Sequence, residues 1–103
     1  MTREALPPRR RGETFKLRFG GQNNAYHVTC GYFPDGRLGE VFISTNKIGS
    51  AADAIARDGA ILLSLALQHG VALDVIKHAL TRESNGEPST VIGAVADELT
   101  KAH

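Results

Sequence analysis

Leu38-Gly39-Glu40-Val41-Phe42-Ile43-Ser44-Thr45 runs into Asn46-Lys47-Ile48-Gly49-Ser50 and then into Ala51-Ala52-Asp53-Ala54-Ile55-Ala56-Arg57, and across this stretch the chain changes its period. The first part, with Val41, Phe42 and Ile43, reads as a strand from Leu38 to Thr45. The last part opens a helix. Ser50 with Asp53 three residues later is a capping-box-like start, and Asp53 is also favourable at the positive helix end. From there to His69 nothing breaks a helix except Gly59, which reads as a close-packing point. Ile55, Leu62, Leu65 and Ala66 form one stripe. Ile61, Leu63 and Leu67 widen it until the second half is apolar nearly all round, the pattern of a central helix. At about 30 Å such a helix crosses a whole sheet, and Gly70 fits the left-handed position that ends it.

Upstream, the period is two. From Thr14, Phe15, Leu17 and Phe19 alternate with Lys16 and Arg18, which describes a strand with one buried and one wet face. Gly20-Gly21-Gln22-Asn23-Asn24 is turn chemistry. A second strand runs from about Ala25 to Phe33, with Tyr26, Val28, Cys30 and Tyr32 on one face and His27, Thr29, Gly31 and Phe33 on the other. Pro34-Asp35-Gly36 is a strong hairpin signal. Downstream, a second helix spans about Leu73 to Leu80 with Val75, Ile76, Ala79 and Leu80 inward. Asn85-Gly86-Glu87-Pro88 is a loop, and Ser89 caps a third helix built on Val91, Ile92, Val95, Ala96 and Leu99.

The order β-β-β-α-α-α specifies an α+β domain: a three-stranded antiparallel sheet followed by three helices packed on one face. Residues 1–12 read as a basic flexible tail, since Pro7-Pro8 forbids helix and Arg9-Arg10-Arg11 repels itself. Residues 13–103 read as one domain. Helices on one side leave the other side of the sheet uncovered. Phe33 and either Phe42 or the Val41/Ile43 pair lie on that side; Phe33 and Phe42 are the candidates for an apolar partner surface there, and a homodimer is the expected way to cover it.

Composition narrows the function classes. A chain of 103 residues holds one domain, and 42% hydrophobic with 22% charged residues is ordinary globular composition rather than disorder. A formal net charge of +1 excludes a polycation and an acidic shield alike. The basic excess is local: residues 1–18 hold Arg3, Arg9, Arg10, Arg11, Lys16 and Arg18 against Glu4 and Glu13. One cysteine, Cys30, cannot make an internal disulfide, and a domain this small in an oxidising compartment is usually stapled, so the expected location is cytoplasmic. The longest apolar run, Ala60-Ile61-Leu62-Leu63, is far too short to span a membrane, and no apolar segment follows the N-terminal basic residues to make a signal peptide.

Candidate chemistry is sparse, and no catalytic residue, metal or cofactor is expected. Cys30 shares its strand face with Val28 and reads as a small buried hydrophobe rather than a redox thiol. His27 and Cys30, three apart on a strand, point to opposite faces and cannot share a metal; His69, His78 and His103 have no ligand spacing. Asp53 and Arg57 read as a helical ion pair, with Asp58 beside them. Two binding readings remain. Lys47, Gly49 and Ser50 place a lysine and free amides at a helix start, a candidate anion or nucleotide site, though without P-loop spacing. Arg9, Arg10, Arg11, Lys16 and Arg18 are candidate contacts to nucleic acid, which an exposed sheet face can also stack.

Three stretches also carry a family resemblance. Asp35-Gly36-Arg37-Leu38-Gly39-Glu40-Val41-Phe42-Ile43, Lys47 with Gly49-Ser50, and Leu63-Ser64-Leu65-Ala66-Leu67-Gln68-His69-Gly70-Val71 strongly resemble the TSCPD domain. That domain is typically found near the C-terminus of adenosylcobalamin-dependent (class II) ribonucleotide reductases. Pro7-Pro8-Arg9-Arg10-Arg11-Gly12 and Thr81-Arg82 also look like that reductase region, so the resemblance covers roughly residues 7–100. The Thr-Ser-Cys-Pro-Asp signature is absent here, as is the catalytic barrel with its radical-site cysteines and its cobalamin and nucleotide sites. What the resemblance implies is a free-standing accessory or regulatory binding domain, not catalytic alone, working in deoxyribonucleotide metabolism through a protein partner such as a reductase.

Overall fold

The structure, a computed structural model, describes residues 2–20, 25–46 and 49–102. Strands β1 (Gly12–Arg18), β2 (Ala25–Tyr32) and β3 (Leu38–Thr45) precede helices α1 (Ala51–Gln68), α2 (Leu73–Ala79) and α3 (Val91–Ala102). The sheet has the order β1-β2-β3 with both pairs antiparallel, the arrangement expected when each strand follows its neighbour through a short connection. The turn between β2 and β3 is where the Pro-Asp-Gly signal placed it. The Gly36 amide donates to the Phe33 carbonyl at 2.9 Å and the Phe33 amide to the Arg37 carbonyl at 2.8 Å. Gly36 sits at φ +93°, a conformation that side-chain-bearing residues rarely adopt.

Register decides which side chains are buried. Phe15 pairs with Val28 and Val28 with Ile43, while Cys30 pairs with Val41. With period two, these residues share one face with Tyr26 and Tyr32, and that face is the core. Ala56, Ala60, Leu63 and Leu67 of α1 and Val91, Val95 and Leu99 of α3 close over it. Cys30 lies in this core, 2% exposed. Burial, with Glu13 nearby, pushes its thiol up to about 12, so the group is neutral and shielded.

The caps of α1 form as the sequence predicts. Ser50 Oγ accepts from the Asp53 amide at 3.1 Å, and Asp53 Oδ2 accepts from the Gly49 amide at 3.3 Å. Gly70 takes φ +90° just past the C-cap His69. Gly59 is the close approach expected of it: a methyl there would run into Ile92 of α3.

Two expectations need correction. First, α1 is not enclosed on most sides. Ile55, Ile61 and Leu62 are 65%, 54% and 68% exposed. Its main partners among the described elements are β3 below it and α3 alongside. Second, the cap of α3 is Thr90, whose Oγ1 accepts from the Gly93 amide at 3.2 Å. The Ser89 hydroxyl is drawn instead to the Glu83 carboxylate.

The N-terminal segment, expected to be a basic tail, makes contacts along the domain. The Glu4 amide donates to the Gln68 carbonyl at 2.7 Å, Arg37 pairs with Glu4 at 3.0 Å, and Arg10 pairs with Glu40. Leu6 packs beside Gly39 and Phe33. Three arginines in a row repel one another, but Arg10 pairs with Glu40 and Arg11 lies over the Tyr32 ring, partners that sequence order does not reveal.

Candidate functional site

The sheet face away from the helices carries Thr14, Lys16 and Arg18 from β1, His27, Thr29 and Gly31 from β2, and Glu40, Phe42 and Ser44 from β3. This follows from the pairs Thr14–Thr29–Phe42, Lys16–His27–Ser44 and Gly12–Gly31–Glu40. One end of this face is covered by the N-terminal segment. Glu40, 7% exposed, lies across Gly31 and takes the Arg10 guanidinium. The packing needs a glycine at 31, because a methyl there would strike the Glu40 side chain.

Phe33 and Phe42 therefore part company. Phe33 is 3% exposed, with the Arg37 guanidinium 4.6 Å from its ring centre. The register shift at Gly31/Tyr32 carries it off the strand and into the turn, beneath Leu6 and Arg37. Phe42 stands on the open face at the edge strand, 56% exposed. Phe42 also borders two hollows. One, about 310 Å³, lies between it and the Pro8–Gly12 segment, with Arg10, Arg11, Thr29 and Glu40 around it. The other, about 360 Å³, runs between β3 and α1, with Ile61, Leu65, Arg57 and Arg3 along its rim.

The predicted cations divide similarly. Arg10 is committed to Glu40, and that carboxylate raises the guanidinium pKa further. Arg11 lies over the Tyr32 ring at 4.4 Å. Arg9, Lys16 and Arg18 are exposed. Among the described residues, Arg9, Arg11 and Lys16 have no carboxylate partner.

Of the predicted anion site, Lys47 lies outside the described residues. Gly49 and Ser50 both turn toward Asp53, whose carboxylate takes the Gly49 amide and the Arg57 guanidinium at 3.0 Å. Arg57, first among the causes, holds Asp53 below the ordinary carboxylate range. A carboxylate of the chain thus already occupies this helix start, which is the electrostatic role an incoming anion would play.

Two buried polar side chains escaped sequence reading. Ser64 Oγ accepts from the Val41 amide at 2.8 Å and lies within hydrogen-bonding distance of the Val41 and Ala60 carbonyls. Gln68 Nε2 donates to the Gly39 carbonyl at 2.9 Å, while its Oε1 accepts from Arg3. Together they satisfy outward-pointing backbone groups of the edge strand β3, which protects it from pairing with another strand. Both sit in the quoted Leu63–Val71 stretch, and a polar residue every fourth position in an apolar helix was the available signal. Arg82, bidentate on Asp97 at 2.6 and 3.1 Å, likewise ties the 82–88 loop to α3.

No group of His, Cys, Asp and Glu side chains among the described residues could hold a metal ion. The TSCPD domain family matches residues 1–103. The chain belongs to that family. This TSCPD domain is 44% identical over 79 residues to a vitamin B12-dependent ribonucleotide reductase of Agrobacterium fabrum, covering 77% of the chain and 6% of the reductase. The reductase of the same name from Bradyrhizobium diazoefficiens is 43% identical over the same shares. One from Streptantibioticus cattleyicolor is 36% identical over 70% of the chain and 12% of its own length. The TSCPD domain thus corresponds to a small C-terminal portion of far longer relatives. No solved structure matches it, and no described helix is long and apolar enough to cross a membrane.

Proposed function

We propose that this TSCPD domain is a non-catalytic accessory of ribonucleotide reduction in the cytoplasm, binding a B12-dependent reductase and modulating it. The observation that carries this reading is the match itself, which spans 77% of the chain but only 6% of the reductase. A module shared with an enzyme at that scale is suited to contacting it rather than repeating its chemistry.

The outer side of α1 offers the docking surface. Ile55, Ile61 and Leu62 expose large apolar side chains on one helix, continuous through Leu65 with the groove beside Phe42. Several large apolar side chains exposed on one helix are suited to an interaction site, and covering them takes a second layer.

The test is isothermal titration of the purified chain against the B12-dependent reductase of the same cells. Binding is expected, with Ile61→Asp weakening it by tenfold or more, about 1.4 kcal/mol. Since Ile61 is more than half exposed, the variant should keep its fold. Absence of a complex at micromolar concentrations would sink the proposal, and self-association that buries Ile61 instead would identify a second copy of the chain as the occupant of this helix face.

A further inference from the structure

Charge is sorted by layer in this molecule. Residues 1–49, which supply the sheet and its N-terminal strap, contain eight Lys and Arg against four Asp and Glu. Residues 50–103, which supply the helices, contain four against seven. A net charge of +1 therefore hides a basic sheet layer and an acidic helix layer. On the open face the separation is sharper. Among the described residues its one carboxylate, Glu40, is taken up by Arg10, whereas Lys16, like Arg9 and Arg11 of the adjoining N-terminal segment, has no carboxylate partner, Arg11 lying over the Tyr32 ring.

At the β3 edge of that face stands Phe42, 56% exposed, where a polar residue would be the ordinary choice. Beside it lies the hollow of about 310 Å³ rimmed by Arg10 and Arg11, with the Thr14 and Thr29 hydroxyls 3.3 Å apart at its far side. From Gly12 to Arg18 this track is about 20 Å long. A bare ring flanked by cations on an otherwise polar sheet matches a ligand that alternates flat apolar groups with phosphates.

We propose that the open sheet face binds single-stranded nucleic acid, with a base stacked on Phe42 and the backbone tracked by Lys16, Arg9 and Arg11. The surface shares Phe42 with the groove beside α1 but otherwise lies across the sheet from it, and its readout, oligonucleotide binding, fails or succeeds separately from any reductase contact. Stacking on an aromatic tolerates any base, so little sequence preference is expected. Three cations engaging phosphates give a slope of about −2 in log affinity against log salt, or a roughly twentyfold loss between about 50 and 200 mM salt.

Fluorescence anisotropy with a labelled oligothymidylate of about 12 nucleotides tests this. The expected result is salt-sensitive binding that Phe42→Ala weakens by about fivefold or more, that Phe42→Tyr retains, and whose salt slope Lys16→Glu makes shallower. The two Phe42 variants share an exposed site, and circular dichroism confirms that both are folded before titration. No anisotropy change at about 50 mM salt would overturn the inference. So would equal affinity in Phe42→Ala, or competition by poly-glutamate as effective as by unlabelled oligonucleotide, which would assign the face to acidic protein segments instead.

Discussion

Replacing Ser64 by alanine asks whether the clasp between α1 and the edge strand stabilises the fold. Val41 is 1% exposed and Ser64 9%, so in the variant the Val41 amide keeps no protein acceptor and has limited access to water. An orphaned buried N–H costs about 1–3 kcal/mol. Alanine repays a few tenths of a kcal/mol as the better helix former. The groove of about 360 Å³ passes Ser64, and a water entering from it offsets part of the remainder. The expected net loss is about 1–2 kcal/mol, read as a fall in melting temperature of roughly 5–12 °C for a domain of this size. Urea denaturation followed by circular dichroism should show a lower midpoint at unchanged slope. Ser64→Cys separates the causes, because it restores volume but accepts weakly. A cysteine variant as stable as wild type would show that filling space is what matters at 64. An alanine variant within about 0.5 kcal/mol of wild type would refute the edge-clasp reasoning altogether.

Other consequences of the packing are equally direct. Leu99→Ala, emptying a site 1% exposed between α3 and the sheet, should cost about 2–5 kcal/mol in the same denaturation assay. Cys30, buried and with its thiol raised to about 12, should resist thiol reagents at neutral pH until urea unfolds the chain. Gly31→Ala should push Glu40 off Arg10 and free the N-terminal segment, seen as faster tryptic cleavage at Arg9-Arg10-Arg11 with little change in the core transition. Asp53 and Asp97 are held low in the folded state chiefly by Arg57 and Arg82. Their contribution is present above the ordinary carboxylate pKa, near 4, and disappears as pH falls through their lower folded values. Arg82→Ala should therefore lower stability at pH 7 and flatten its decline in acid.

The element order, the β2–β3 turn and both ends of α1 were legible because each rests on local chemistry. Pro34-Asp35-Gly36 bends the chain wherever it sits, and Ser50, Asp53 and Gly70 act within one helical turn. The faces of the sheet were legible too, since alternation alone puts Val28 and Cys30 opposite Thr29. What escaped depends on groups distant in sequence. Phe33 looked like an open-face residue by parity, but the register shift at Gly31/Tyr32 and the returning segment around Leu6 remove it from the surface. Arg10–Glu40 and Ser64–Val41 join residues 30 and 23 positions apart, and no periodicity reports such pairs.

The error over α1 is informative for a different reason. Its apolar circumference was read correctly from Ile55, Ile61, Leu62, Leu63 and Leu67, and the inference that something covers it follows from the cost of leaving such surface in water. What failed was the assumption that the covering layer belongs to this chain. The helix is amphipathic only with respect to its own domain if Asp58 and His69 are counted as its wet side, yet the exposed isoleucines and leucine lie among them. The chain leaves Ile55, Ile61 and Leu62 of this helix exposed, which is why the proposed contact is placed there. The opposite face of the molecule shows the converse, since its exposed positions are basic and polar around the single ring of Phe42. One domain thus presents an apolar helix surface and a basic sheet surface on opposite sides, and charge reversal at Lys16 should leave binding at Ile61 untouched.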